Sequence, residues 1–547
     1  MSGPLETEGS AARRAAETNP SLPSARKLLG YLGFLAVAFA VVAVFQAAVH
    51  GLAGLDGLYH FRQAESYARH GPFSTDFPWA YSVLARRRAD IWYGFHLFLL
   101  PFTFLGEGSL VLKLAATVEL VLTLAILRVI LLRHGVAQAS AWTFLLVLFA
   151  PTALYQLLQA RPQVLSAGLL PLVMSTFLLG GPLGVFLAVA VATSVHLSFF
   201  WMLLLVILIA FVTKGISERH WPWRQVAAAA GGLLLGWAAR PHPLGAAAIE
   251  YVQLVQLALL RRHQPGIRFG LELDPVSLPG LSLFFLPALL LLAVAVVLFV
   301  IAIGLKRVPL APPQRTVLWC SLLLTLCFFA LATFFARRAV VPWTGFSVVF
   351  VAVTFSSLVF SPQVRRAAFP TENVRVWLAV VVLGLGAWMS WTLVADFLVQ
   401  KHWLAPPMDR YREAGLWLRA HARPDDVIAN VHWDTFPELY FWNPRGRYVW
   451  GMDPVFTYAY DQSLFWKISH LANGEASART WGTPGVGSGE GEEVYELFRR
   501  DLKARYVALQ TGRVDALEGV LQADPRFTLR VAGPPLSVYE VRPEPAR

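Results

Sequence analysis

The segment Leu55-Asp56-Gly57-Leu58-Tyr59-His60-Phe61-Arg62-Gln63-Ala64-Glu65 sets a carboxylate, an imidazole and a guanidinium close together in the chain. On a helix, Asp56 and His60 share a face at i and i+4, and Arg62 pairs with Glu65 at i and i+3. A carboxylate in that company can orient or deprotonate a polar acceptor, or ligate a divalent cation such as Mg or Mn. The plainer reading is a solvated helix start with Asp56 as its N-cap. A second set is arginine-rich: Arg161, Arg240, Arg261, Arg262, Arg268, Arg337 and Arg338 fall at or near the ends of apolar runs. The planar guanidinium fork matches phosphate oxygens, and each of these side chains taken singly can also snorkel to lipid headgroups. Glu272 and Asp274, in Gly270-Leu271-Glu272-Leu273-Asp274-Pro275, are either a loop acid pair or a solvated turn. His196 and His96 are pocket candidates, although a lone histidine in such a place is more often a packing residue, and Arg86-Arg87-Arg88 reads as a solvated or headgroup-facing patch.

The elements that must position these residues are membrane spans. Hydrophobic residues make up 56% of the 547 and charged residues 15%, with a mean hydropathy of +0.53, a composition that excludes an ordinary soluble chain. Apolar runs near the roughly 20 residues needed to cross a bilayer recur, at 28–50, 109–132, 137–154, 164–180, 182–196, 198–213, 225–239, 280–304, 315–336, 340–360 and 376–398. Counting Lys and Arg in short loops places the leader 1–27, with Arg13, Arg14, Arg26 and Lys27, on the cytoplasmic side. The same rule assigns Arg133, Lys214, Arg219, Arg224, Lys306, Arg307, Arg315, Arg365, Arg366 and Arg375 to inside loops. The net charge of +12 is thus largely a topology signal, and no nucleic-acid partner is read from it.

This leaves the loop 51–108, the loop 240–279 and everything from 399 to 547 on the outer side. The last stretch reads as a soluble α/β domain, with strands at 427–433, 448–452, 506–510 and 527–531, helices at 411–422, 492–502 and 514–522, and a Gly/Ser/Thr-rich loop at 474–491. Cys320 and Cys327 share one apolar run and imply neither a disulfide nor a metal site. No phosphate-cradling glycine loop, zinc spacing or nucleophile elbow is present, so soluble nucleotide chemistry is unsupported.

The order Asp56, Tyr59, His60, Arg62, Glu65 and Gly71 directly after the first span resembles the first external loop of the catalytic subunit of oligosaccharyltransferase, and more broadly the GT-C superfamily of polyprenyl-phosphate-dependent glycosyltransferases. The apolar runs give about eleven transmembrane helices (28–398) with a C-terminal soluble α/β domain, a plan that the resemblance fits; the resemblance implies a catalytic Asp56 beside the metal and acceptor, and His60 and Arg62 are read as orienting it. Trp433-Asp434 is similar to the acceptor-recognition motif of the same subunit, which implies an acceptor-binding role. Arg337, Arg338, Arg161 and Arg240 then become the candidates for the donor phosphate, with Arg337-Arg338 foremost.

The stretch Gln156-Leu157-Leu158-Gln159-Ala160-Arg161-Pro162-Gln163 lacks the paired acidic motif found there in oligosaccharyltransferase, which puts a divalent cation in question; Glu272 and Asp274 are its possible substitutes. The expectation is a multi-pass enzyme of a bacterial inner membrane, its C-terminal domain periplasmic, moving a sugar from a polyprenyl-phosphate-linked donor to a glycan, lipid or protein acceptor. En bloc glycan transfer and a non-enzymatic lipid-linked sugar transporter are the alternatives. A transporter would carry internal repeats and mid-membrane charges, and only Glu119 lies well inside a span.

Overall fold

The computed structural model describes residues 25–149, 151–257, 259, 267, 270–281, 285–304, 310–359, 372–403, 405–485 and 491–543. Arg13 and Arg14 of the leader, Arg261, Arg262, Arg268, Lys306, Arg307, Arg365 and Arg366, and part of the Gly/Ser/Thr-rich loop lie outside the described residues.

Among the described residues, seven helices are long and apolar enough to cross a membrane: Ala25–Ala48, Ser109–Arg133, Pro162–Leu179, Leu197–Glu218, Pro312–Phe334, Arg337–Leu358 and Val376–Val399. Ala139–Leu148, Pro182–Val195 and Leu286–Ala302 are shorter apolar helices, and Trp223–Ala238 is a further helix of the bundle. Proline stands in the first turn at Pro162, Pro182 and Pro312, where its missing N–H costs no helical hydrogen bond. The run expected as one span at 137–154 is instead broken into helices at Ala139–Thr143, Leu145–Leu148 and Pro151–Leu157. Pro151 cannot donate the backbone bond that would continue the preceding helix.

Burial ranks the spans. The apolar window of Arg337–Leu358 is 94% buried, against 17% for Ala25–Ala48 and for Val376–Val399. The first is the packed centre of the bundle; the other two turn Leu28, Leu29, Val44, Trp391 and Val399 outward, an apolar surface that only lipid can cover. A close approach locks one corner. A Cβ on Gly94, in helix Tyr93–Thr103, would lie 2.5 Å from Ser194 Oγ and 2.7 Å from the Ser194 backbone carbon at the end of Pro182–Val195.

The C-terminal region forms a five-stranded sheet in the order β2-β1-β5-β7-β6: β1 is Val427–Asn430, β2 Arg447–Tyr448, β5 Ala504–Gln510, β6 Phe527–Val531 and β7 Leu536–Val541. A separate antiparallel pair joins β3, Arg479–Thr480, to β4, Glu492–Glu493. Strand β1 runs parallel to β2 and β5, while β7 is antiparallel to β5 and β6. Strand β7 and the helices Phe436–Trp442 and Gln462–Ala472 are further elements of this domain.

The sheet does not stop at β2. Tyr448 N–H donates to Pro78 O at 2.7 Å and Ala80 N–H to Tyr448 O at 2.8 Å, so the loop 51–108 adds a short strand to the domain's edge. Trp79, Tyr59, Phe436 and Tyr440 pack beneath that seam, with Tyr59 and Trp79 centroids 5.2 Å apart and Trp79 and Phe436 5.4 Å apart. The loop after the first span and the C-terminal domain are therefore one packed unit. Gly94→Ala is expected to lower thermal stability by about 1–3 kcal/mol, because the contacted atoms include backbone that cannot move aside; thermal unfolding of the purified protein measures it.

Candidate active site

The approach to Asp56 is set by a turn. Gly54 sits at φ +74°, a conformation that disfavours a side chain, and a Cβ there would also lie 2.7 Å from the Gln159 side chain. Its N–H donates to Tyr155 Oη at 2.8 Å. The helix Asp56–His70 starts straight after, with Leu55 rather than Asp56 at the N-cap position and no side-chain cap. The Asp56 carboxylate is left free to turn away from its own backbone, and it meets Arg161 at 2.9 Å.

Arg161 is extended, as a residue before proline tends to be, and its side chain reaches back into the same space. Its guanidinium also holds Glu272 at 3.0 Å, and Glu272 in turn meets Arg338 at 3.4 Å. Arg338 belongs to the short turn Arg337–Ala339 between two spans. The result is a chain of alternating charge, Asp56, Arg161, Glu272, Arg338, around a cleft of about 50 Å³ that His60, Trp92, His196, Ser198, Gln253 and Asp453 also line. That volume admits a few waters and no sugar. The cleft is narrowed by its own ion pairs.

Burial raises the Asp56 carboxyl above its ordinary value, a rise that Arg161 opposes and Glu272 reinforces. Burial also works to raise Glu272, but Arg161 and Arg338 outweigh it and take that carboxyl down to about 2. Asp453, contributed by the C-terminal domain, is pushed up to about 6 by burial, although it accepts a bond from Val455 N–H at 3.0 Å. Burial and, after it, the neighbouring His96 and Arg161 hold His60 well below the usual histidine range.

A buried relay stands behind His60. Asp90 accepts from Tyr67 Oη at 2.7 Å, from Trp92 N–H at 2.8 Å and from His96 Nδ1 at 2.6 Å, and His96 Nε2 meets His60 Nδ1 at 2.8 Å. Burial opposes ionisation of Asp90, yet its donors together bring it below its ordinary value. An ionised carboxylate only accepts, so His96 turns Nδ1–H to it. His60, which burial keeps uncharged, meets His96 through Nδ1 and so leaves Nε2 for the cleft that it lines. His196, at the end of Pro182–Val195, contacts Ser166 Oγ at 3.1 Å and stacks on Phe199 at 3.8 Å.

Several expected site residues stand elsewhere. Arg62 turns away from Asp56: it is buried, donates to Phe441 O at 2.7 Å, pairs with Glu107 at 2.8 Å and bonds Glu65, so it ties the first loop to the C-terminal domain. Arg240 is likewise buried, donating to the carbonyls of Asp90, Thr193 and Gly236 at 2.8–3.0 Å, which leaves it braced rather than facing a ligand. Of the pair 337–338 only Arg338 lines the cleft; Arg337 N–H donates to Asp274 O at 2.8 Å, and that bond pins the Glu272 loop beside the turn. Asp274 gives its backbone carbonyl to that bond and is not among the cleft-lining acids. Trp433 lines a different cavity, and Asp434 pairs with Arg513 at 2.9 Å, outside the cleft. Arg86 donates to the carbonyls of Ala459 and Tyr460.

Sequence reasoning missed Asp453, whose signal is an acid just before a proline that opens a helix, the N-cap pattern. Gln253 and Ser198 carried no signal beyond polarity within apolar surroundings. Among the described residues no group of three or more His, Cys, Asp or Glu side chains is placed to hold a metal ion. Asp56 and Glu272 are engaged by guanidinium groups that a cation would face directly, so these residues do not fit the expected Mg or Mn.

Beside the cleft runs an apolar groove of about 390 Å³, walled by Phe200, Leu233, Trp237, Tyr251, Leu254 and Val255. Two segments separate groove from cleft: Leu197 and Phe200 face the groove while Ser198 and Phe199 face the cleft, and Gln253 faces the cleft from between groove residues Tyr251 and Leu254. A polar, arginine-bearing pocket thus abuts a largely apolar slot in which, among the described residues, Glu250 is the one acidic lining residue.

A membrane-helix bundle with such a cleft under an α/β domain is the GT-C architecture, and solved structures carry the same fold. Of this chain 93% aligns with the arabinofuranosyltransferase AftD from Mycobacteria, at a TM-score of 0.54 and 15% identity, spanning 41% of that longer chain. ArnT from Cupriavidus metallidurans is similar in two states: bound to undecaprenyl phosphate, over 93% of this chain and 97% of that one, with TM-score 0.53 and 14% identity, and in the apo state, over 94% and 98%, with TM-score 0.54 and 14% identity. No family model and no curated protein matches the sequence. The chain is a multi-pass membrane protein with the GT-C fold.

The relay has a spectroscopic signature. In ¹⁵N-histidine-labelled protein near pH 6, His60 should remain uncharged, and Asp90→Asn, which removes the ionised acceptor behind His96, should shift the His60 ring signals; signals assigned to His60 that titrate like exposed histidines would contradict this arrangement.

Proposed function

We propose that the protein is a glycosyltransferase that moves a sugar from a polyprenyl-phosphate-linked donor to an acceptor hydroxyl, on the side of a bacterial inner membrane that faces the periplasm. The observation that carries this reading is the pairing of Asp56 with Arg161 at 2.9 Å inside a cleft that also holds Arg338 and abuts an apolar groove. The solved ArnT complex with undecaprenyl phosphate, on the same fold, supports a lipid phosphate as the ligand.

In this reading the polyprenyl chain lies in the groove and its phosphate takes the place of the Glu272 carboxylate between Arg161 and Arg338. Arg161 has capacity to spare, since its Nε is buried without a partner. A phosphate that draws Arg161 away from Asp56 also removes the positive neighbour that holds the Asp56 carboxyl down. Donor binding thereby makes Asp56 a stronger base. The acceptor O–H gives its proton to Asp56, its oxygen bonds the sugar carbon, the bond from that carbon to the phosphate oxygen breaks, and the negative polyprenyl phosphate leaves against the two guanidinium groups. His60 Nε2 and Asp453 are placed to orient the acceptor.

Two expectations follow. Protein reconstituted with a polyprenyl-linked sugar and candidate acceptors should release polyprenyl phosphate, and Asp56→Asn should cut that release by about 10²-fold or more; undiminished release in this variant would sink the mechanism. Glu272→Gln, which removes the competing charge, should tighten binding of polyprenyl phosphate by several-fold, read by titration of the ligand into nanodiscs; weaker binding would show that Glu272 helps to hold the phosphate.

A further inference from the structure

The C-terminal domain has a second cavity, of about 380 Å³, which the transfer cleft does not use. Its volume falls in the roughly 300–1,000 Å³ range of small-molecule pockets. Trp433, Trp450 and Phe465 supply aromatic wall, and His432, Ser469 and Asn473 supply polar groups. Trp450 is fixed, its Nε1–H donating to Asn430 O at 2.7 Å and its ring edge-on to Phe465 at 5.9 Å. Trp433 is only half-buried.

His432 stands out. It is 3% exposed, it lines the cavity, and neither ring nitrogen makes a hydrogen bond. The Ala472 backbone favours the charged form of the ring, the last of the influences on it. A buried imidazole with both nitrogens unsatisfied is costly unless a ligand completes it. Burial, with Arg513 next, takes His432 down to about 4, so at neutral pH it offers one donor and one acceptor. Arg513, the formal charge at the rim, is spoken for by both oxygens of Asp434 at 2.9 Å.

The one cation lining the pocket among the described residues is thus paired with a carboxylate, and the pocket's polar atoms are too many for a hydrocarbon. Aromatic faces combined with neutral paired donors and acceptors fit a sugar ring, whose C–H faces stack while its hydroxyls both give and accept. We propose that this cavity binds an uncharged sugar residue of a glycan, with Trp433 as its stacking face and His432 bonding its hydroxyls. Its position deepens the transferase reading and rests on it for the role of acceptor subsite. The segment 450–456 is a shared wall, with Trp450 and Pro454 on this cavity and Met452, Asp453 and Phe456 on the cleft. A glycan seated here can extend its next units toward Asp56.

The test uses full-length protein in nanodiscs, free of sugar-based detergent, with maltotriose, mannotriose and arabinotriose as probes in saturation-transfer NMR. Ring protons of at least one trisaccharide should receive saturation, and affinity should fall about tenfold in Trp433→Ala and in His432→Phe. The second variant separates binding from folding: replacing an unpartnered buried polar ring by an apolar one should hold or raise the melting temperature while affinity falls. Asp56→Asn should bind the trisaccharide as wild type does. Absence of binding to all three probes, or binding that both cavity variants leave unchanged, overturns the proposal. Trisaccharide binding in a protein that never releases polyprenyl phosphate would uphold this site and remove the transferase reading instead.

Discussion

Arg161 is the residue on which the site's organisation depends. One guanidinium, fixed in place by the proline that follows it, takes Asp56 from the first loop and Glu272 from the loop 240–279. Without that cation two carboxylates would share a small, half-buried cleft, an arrangement that raises the carboxyl left without a guanidinium. The fold supplies the rest of the positioning: the Gly54 turn aims the helix Asp56–His70, the Arg337–Ala339 turn brings Arg338 to the other side of Glu272, and the C-terminal domain closes the cleft with Asp453.

The membrane architecture could be read from hydropathy because lipid demands unbroken apolar runs, and the helices fall close to those runs. The exception, 139–157, is where Pro151 interrupts a stretch whose composition alone looked continuous. In the C-terminal domain the strands β1, β5 and β6 were visible as β-branched and aromatic runs between turn residues, whereas β7 is buried on both faces and lacks the alternation that marks a half-exposed strand.

Within the site, residue type was informative and partner choice was not. Asp56, His60, Arg161, Glu272 and Arg338 converge, yet Arg62 and Arg240, of the same chemical kind, are spent on backbone carbonyls and glutamates that hold elements together. Sequence cannot tell a guanidinium facing a ligand from one bracing a loop, because both need the same side chain at a span end. The distinction lies in whether three-dimensional packing leaves the fork's donors committed. Asp453 shows the converse: its N-cap position reads as a structural role, and only the meeting of the two domains turns it toward the cleft.

The Glu272 bridge carries one more consequence. As a tethered carboxylate it sits beside Arg161 and Arg338 at an effective concentration of the millimolar order typical of intramolecular ligands, so any free anion meets a standing competitor. Inorganic phosphate has only its charge with which to contend. A lipid-borne phosphate adds the affinity of its chain for the apolar groove and enters from a membrane that concentrates it. In the proposed enzyme the ion pair that narrows the cleft would thus work as a discriminator, deaf to the abundant soluble anion and open to the scarce one that arrives with a tail.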